Sequence, residues 1–190
     1  MKLGERLFET ERLRIEPLRA SHAAELLQVL SDQRMYRFVP QEPPATLAAL
    51  SGRFALLETR RSPDGGEDWL NWALRSKSEG ACLGSIQVTI RRDGRAQLAY
   101  AIGVLYWGRG FATEACGCVI EALFDTGIPE VWAEVDARNL ASMRLLERLG
   151  FRRGTLRQNA DVFKGSRSDE WTYSLVRNTN LRMTGTEEPA

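Results

Sequence analysis

The chain has 190 residues, 43% of them hydrophobic, enough to bury one substantial core and consistent with a single domain. Twenty-six basic against 25 acidic residues leave a net charge of +1, so no overall field draws the chain to nucleic acid or anionic lipid, and direct nucleic-acid binding is not expected. No apolar run reaches the roughly 20 residues that span a bilayer, and Met1 to Arg6 lacks the apolar core of a signal peptide, so a cytoplasmic protein without a membrane segment is expected.

Leu13, Ile15 and Pro17 suggest a short first strand. Ser21 stands as N-cap of a first helix carrying Leu26, Leu27, Val29 and Leu30, with His22 expected at the surface or in the capping region. Pro43-Pro44 opens a second helical stretch in which Leu47, Leu50, Phe54 and Leu57 share one face, and Ser62 to Gly66 ends it as a loop. The period then changes to two: Leu70, Trp72 and Leu74, followed by Ile86, Val88 and Ile90, form a hairpin across Glu79-Gly80. Asp93-Gly94 makes a second turn into the apolar run Leu98 to Ile102, a central strand.

A helix follows from about Gly110 to Thr126, stopped by Gly127, and Val131, Ala133 and Val135 alternate as in a strand. A short helix covers Leu140 to Leu149, and a last strand Trp171 to Val176. Residues 1–177 make one domain, and 178–190, poor in apolar residues, a loose tail. The order describes a mixed αβ sandwich whose strands are mostly antiparallel. The crossover from strand 98–102 through helix 110–126 to strand 131–135 makes one pair parallel.

Three cysteines and one histidine leave little room for a metal site or a disulfide framework. Cys116 and Cys118, two apart on a helix, diverge and are read as packing residues. The chemistry-bearing segment is instead Trp107-Gly108-Arg109-Gly110-Phe111-Ala112. A helix start exposes up to four N–H groups without intrahelical acceptors and carries partial positive charge, and Gly108 and Gly110 let an anion approach the backbone closely. Ala112 keeps the first turn open, and Arg109 points its charge either at the anion or into solvent. A dinucleotide-binding turn fits less well, because Thr113 stands where the third Gly or Ala of that fingerprint belongs, and no Gly-Lys-Ser/Thr ending of a P-loop is present.

This turn, preceded by Thr10-Glu11-Arg12-Leu13 and followed by Asn139-Leu140-Ala141-Ser142 and Leu149-Gly150-Phe151, resembles the GNAT superfamily of N-acetyltransferases, specifically its RimJ/RimL-type branch that acts on ribosomal proteins. The resemblance covers about residues 8–177. It implies a twisted, mostly antiparallel sheet flanked by helices with a splayed parallel strand pair, acetyl-CoA as co-substrate, and no metal. It places the CoA pyrophosphate on the backbone of Trp107, Gly108, Arg109, Gly110, Phe111 and Ala112, and the pantetheine arm between Ile102-Gly103-Val104 and Val135-Asp136. Asn139 would bind the cofactor arm or serve as a helix N-cap, or do both.

Many members carry a tyrosine four residues before the glycine of the Gly-Phe pair to protonate the departing thiolate. Here that position is Leu146, and by the resemblance Ser142 replaces it as hydrogen-bond donor to the sulfur. Backbone N–H groups at the splay would polarise the thioester carbonyl. Some members have an acid on the strand before the glycine turn, where this chain has Gln97, which accepts no proton near neutral pH. Asp161 falls where relatives have a glutamate that activates the amine through water, with Asp169 and Glu170 as lesser candidates.

A weak base favours an α-amine, with a reference pKa of about 7.7–8.0, over a lysine amine near 10.4. The expected acceptor is a peptide or protein N-terminus, such as that of a ribosomal protein. A small amine (amino acid, polyamine or aminoglycoside) is the alternative acceptor, and a non-catalytic acyl-CoA-binding module the alternative class. The segment Met35 to Pro44 and the 60–68 loop, with Tyr36, Phe38 and Trp69, are expected to shape the acceptor cleft. Either a monomer or a homodimer fits these features.

Overall fold

One sheet of eight strands runs through the computed structural model, which describes residues 2–177. The strands are β1 (Phe8–Glu9), β2 (Leu13–Pro17), β3 (Asp68–Ser76), β4 (Cys82–Ile90), β5 (Ala96–Ile102), β6 (Glu130–Asp136), β7 (Arg152–Phe163) and β8 (Ser166–Val176). Their spatial order is β1-β2-β3-β4-β5-β6-β8-β7. Helices α1 (Ala23–Leu30) and α2 (Leu47–Leu57) cover one face, where Leu26, Leu50 and Phe54 pack on Ala73, Cys82 and Ala101. Helices α3 (Phe111–Asp125) and α4 (Leu140–Arg148) cover the other, burying Val119, Leu123, Met143 and Leu146 against Ile86, Leu98, Val131 and Val135. The tail expected over 178–190 lies outside the described residues.

All neighbouring strands are antiparallel except β5 and β6. That parallel pair has only two rungs, Ala96↔Val131 and Gln97↔Trp132. Beyond them the strands part while each stays paired on its outer side, β5 to β4 as far as Ile102 and β6 to β8 as far as Asp136. The crossover helix α3 connects the two strands, so the slit opens towards the start of both α3 and α4.

The sequence expectations hold for most elements, with corrections of physical origin. The first helix begins at Ala23, not Ser21, after a 3-10 turn at Ala20–His22. His22 is its N-cap residue but makes no side-chain cap to it; its Nδ1 instead accepts the Arg19 N–H at 2.9 Å, closing the 3-10 turn, and the ring is buried and not at the surface. The second helix begins at Leu47, three residues after Pro44, where Thr46 Oγ1 accepts the Ala49 N–H at 3.1 Å. Leu47 is consequently exposed, whereas Leu50, Phe54 and Leu57 are buried as expected. The last strand starts five residues earlier than Trp171, at Ser166.

The largest omission is β7. It is an edge strand of twelve mostly exposed residues, and its register against β8 shifts twice, between Arg153 and Leu156 and between Arg157 and Asp161. An edge strand with bulges shows no apolar alternation, which removes the period-two signal. Lys164 and Gly165 then turn the chain, both with positive φ, as a two-residue hairpin requires.

Candidate active site

Two helix starts stand at the carboxyl ends of the parted strands. At the first, Gly108 and Gly110 have φ of 71° and 81°, values that cost a side-chain-bearing residue about 1–2 kcal/mol. A Cβ on Gly108 would meet nothing within 4 Å, so the space above the turn is open. The backbone N–H groups of Gly108 to Thr113 donate to no acceptor among the described residues. Unpaired N–H groups at a helix N-terminus make an anion cradle, whose chemistry suits a phosphate group.

The cradle is braced from a distant part of the chain. Glu114, in the first turn of α3, accepts hydrogen bonds from Thr10 Oγ1 at 2.5 Å, Arg12 N at 2.9 Å and Arg12 Nε at 2.6 Å. Arg12 Nη1 also donates to the Arg109 carbonyl at 2.9 Å. Burial favours the protonated form of Glu114, but the donors from Thr10 and Arg12 outweigh it and hold the carboxyl below its usual pKa. The Arg12 and Arg109 guanidiniums lie 4.6 and 5.0 Å from the centre of the Phe111 ring. Trp107, half exposed, donates its indole N–H to the Ile102 carbonyl at 2.6 Å and so ties the turn to the end of β5. Gly103 N–H pairs with Leu83 O at 2.8 Å, while Val104 opens the short 3-10 turn that leads to Trp107. Ala112 is half-buried in the first turn of α3.

At the second helix start Asn139 Oδ1 accepts the Ser142 N–H at 3.1 Å, so the capping role of Asn139 is present. The Ser142 hydroxyl lies 2.7 Å from the Tyr100 hydroxyl across the slit from β5. Sequence reasoning passed over Tyr100, since an aromatic in a central strand signals packing. Leu146, four residues before Gly150, is fully buried in the core. Asp136, at the end of β6, is 5% exposed. Burial pushes its carboxyl pKa up, but hydrogen bonds from Arg138 and Ser168 prevail and lower it. It accepts from Arg138 N, Arg138 Nε and Ser168 Oγ at 2.7–2.9 Å, which makes it a fixed structural anion.

The opposite face of the slit is polar. Gln97 Nε2 donates to Glu134 Oε2 at 3.3 Å, and Arg157 Nη2 bridges Glu134 and Glu170 at 3.0 and 2.6 Å. Asp161 pairs across the ladder with Ser168 and so shares a face with Glu170 and Glu134. Its Oδ1 accepts the Val162 N–H at 2.7 Å, and it makes no ion pair among the described residues. The structure therefore brings Ser142, Asn139 and Tyr100 together on the α4 side and sets Asp161 on the other. Glu134 and Arg157 were missed because a side chain's partner on a neighbouring strand is not written in local spacing.

The mouth on that face is framed by the β7–β8 turn and the 36–41 segment. Lys164 Nζ donates to the carbonyls of Tyr36, Val39 and Gln41 at 2.5, 3.0 and 2.9 Å. Tyr36 is anchored by its hydroxyl on the Leu30 carbonyl at 2.8 Å, and Phe38 is half-buried. The 60–68 loop stands elsewhere: with Trp69 it lines a depression beside Arg91 and Arg92, at the end of the sheet where β5 begins. Its expected part in the acceptor cleft is corrected on that ground, because the slit opens at the other end.

A family model described as an acetyltransferase (GNAT) domain matches residues 12–152. The chain belongs to the GNAT family. It is an acetyl-CoA-dependent N-acetyltransferase of RimJ/RimL-like type. An uncharacterized N-acetyltransferase of Bacillus licheniformis, p20, is 25% identical over 171 residues, covering 88% of this chain and 94% of that protein. The ribosomal protein bS18-alanine N-acetyltransferase of Escherichia coli strain K12 is 31% identical over 110 residues, 58% of this chain and 73% of that one. The crystal structure of a GCN5-related N-acetyltransferase from Brucella melitensis matches with a TM-score of 0.76 at 26% identity, over 90% of this acetyltransferase and 79% of the other chain. Among the described residues no helix is long and apolar enough to cross a membrane, and no group of three or more His, Cys, Asp or Glu is placed to hold a metal ion.

Proposed function

We propose that this enzyme acetylates the α-amine of a peptide or protein N-terminus, a ribosomal protein being one such acceptor, by direct attack in a ternary complex. Acetyl-CoA supplies the thioester carbonyl that the amine attacks. The backbone of residues 107–112 holds the pyrophosphate, chiefly on the unpaired N–H groups of Gly108 to Ala112, while Arg12 and Arg109 beside the turn are ion-paired with Glu114 and Glu79. Ile102, Gly103 and Val104 line one side of the slit and Val135 and Asp136 the other, with Asn139 at its end. Ser142 donates a hydrogen bond to the sulfur as charge gathers there. Asp161, on the opposite face, takes the amine proton through water.

The observation that carries the α-amine reading is the environment of Gln97. A carboxamide occupies the floor of the slit and spends its N–H on Glu134, while Glu134 and Glu170 share one guanidinium. Asp161, like Asp169, makes no ion pair among the described residues; each accepts one backbone N–H, from Val162 and Asn159 respectively, and Asp161 is the one on the same face as Glu134 and Glu170. Carboxylates as a class are weak bases, better matched to an amine of pKa about 7.7–8.0 than to one near 10.4. The bS18-alanine acetyltransferase among the relatives supports the same acceptor class.

The test is acetyl-CoA-dependent thiol release across N-terminal peptides, lysine peptides, polyamines and aminoglycosides, with mass spectrometry locating the acetyl group. Acetylation of a peptide α-amine is expected; selective turnover of a small amine would replace this reading. Ser142→Ala should lower kcat about tenfold or more while leaving the acetyl-CoA Kd within about twofold, the pattern of an interaction made as the sulfur gains charge.

A further inference from the structure

We infer that Tyr100 is a positioning residue whose hydroxyl donates to Ser142 Oγ, so that the serine's own proton is directed at the CoA sulfur. The inference rests on the assignment of Ser142 to the sulfur made above. Three observations lead to it. The two hydroxyl oxygens are 2.7 Å apart, a well-formed hydrogen bond. Tyr100 belongs to the stretch of β5 that has no partner on β6, so its hydroxyl reaches α4 across the opening of the slit. Ser142 is fixed from the other side as well, because its N–H is held by Asn139 Oδ1 at 3.1 Å.

The direction of the hydrogen bond follows from acidity. A phenol, with a reference pKa near 10, is a stronger donor than an aliphatic alcohol. Burial pushes the Tyr100 hydroxyl further up, against a smaller lowering by Ser142, so it remains protonated through the working range. With Tyr100 donating, Ser142 Oγ serves as acceptor and its single proton is free for the sulfur. Successive hydroxyl donors polarise one another, so the second bond is strengthened by the first.

The same acidities define what the pair does chemically. An ordinary thiol has a pKa of about 8.5, so its thiolate is too weak a base to take a proton from either hydroxyl. Tyr100 and Ser142 therefore keep their protons. The bond from the acetyl carbon to the amine nitrogen forms, the carbon–sulfur bond breaks with its electron pair on sulfur, and the amine proton leaves through Asp161 or water. Two hydroxyls in line replace the single tyrosine whose place Leu146 occupies, and they act by hydrogen bonding alone.

The experiment titrates the CoA thiol on the full-length protein by thiolate absorbance, with no acceptor present, beside steady-state kinetics of the variants. In the parent enzyme the bound thiol should ionise below the pH at which free CoA does. Tyr100→Phe, which keeps the ring in place, should move that midpoint back towards free CoA by about half to one pH unit and lower kcat about fivefold to tenfold, with acetyl-CoA Kd within about twofold. Ser142→Ala should produce the larger shift, and the double variant should lose no more than Ser142→Ala alone. Should Tyr100→Phe not fold, Ser142→Thr, which retains a hydroxyl, should restore a lowered midpoint that Ser142→Ala lacks. A bound thiol that ionises as free CoA does, a Tyr100→Phe midpoint equal to the parent's, or losses that multiply in the double variant would each overturn the inference. The acceptor assignment fails separately, in the amine panel, since CoA titration involves no amine.

Discussion

The anion cradle at the start of α3 and the mouth framed by Lys164 do comparable work with opposite materials. The cradle is backbone: six consecutive residues supply the N–H groups, and two glycines set their direction. The mouth is assembled by a side chain that reaches across 123 to 128 positions of sequence to carbonyl groups. On the proposed reading, a ligand common to many enzymes meets groups that every residue possesses, and a particular acceptor meets side-chain contacts. The acetyl-CoA end would then tolerate few changes in a short segment, whereas the acceptor end is spread over segments distant in sequence.

The largest expected effect comes from breaking the cradle. Gly110→Val places a β-branched residue at φ 81°, at a cost of about 1–2 kcal/mol or more, and should weaken acetyl-CoA binding by about tenfold or more with little change in acceptor KM. Calorimetry on the variant checks both the affinity and the selectivity of the loss.

A smaller effect is expected when the brace is cut. Glu114→Gln removes the charge that Thr10 and Arg12 address, and a thermal or urea unfolding series should show about 1–2 kcal/mol lost at neutral pH, discounted for the exposure of Arg12. The pH dependence fixes the sign. Because the folded carboxyl has a lowered pKa, its stabilisation is complete above the unfolded value near 4.3–4.5 and disappears as the pH falls through the lower folded value. The gap between parent and variant should thus stay constant above about pH 5 and close below it; a gap that persists into acid would show that packing, and not charge, is what Glu114 contributes.

The smallest effect belongs to the mouth. Lys164→Met should raise the acceptor KM about threefold to tenfold and leave the acetyl-CoA KM within about twofold, because three hydrogen bonds of a partly exposed ammonium are replaced by water. Equal changes in both constants would dissolve the contrast drawn here.

That contrast also explains what the sequence made legible. The turn at residues 107–112 stands out because its glycines, one residue apart, precede a helical period, and the β3–β4 hairpin because Leu70, Trp72 and Leu74 alternate. Thr10 and Arg12 belonged to a recognisable motif, but their purpose emerges only where they close on Glu114. Tyr100 lay in plain view in the β5 run and was hidden by the ambiguity of any aromatic in a central strand. The strand β7 was illegible for a physical reason, since an exposed, twice-bulged edge strand buries almost nothing and has no pattern to show. Asp161 stands in that strand, past its second register shift.

A sheet that keeps only two rungs between β5 and β6 carries, besides its outer borders at β1 and β7, two borders in its own interior. Each presents main-chain donors and acceptors that a neighbouring strand would ordinarily satisfy, and such a border invites any extended chain to lie along it. The guest best suited to this gap is narrow, extended and furnished with amides, a description that the pantetheine arm meets. In the proposed binding mode acetyl-CoA would stand in for a missing strand, and its departure would reopen both inner borders of the sheet.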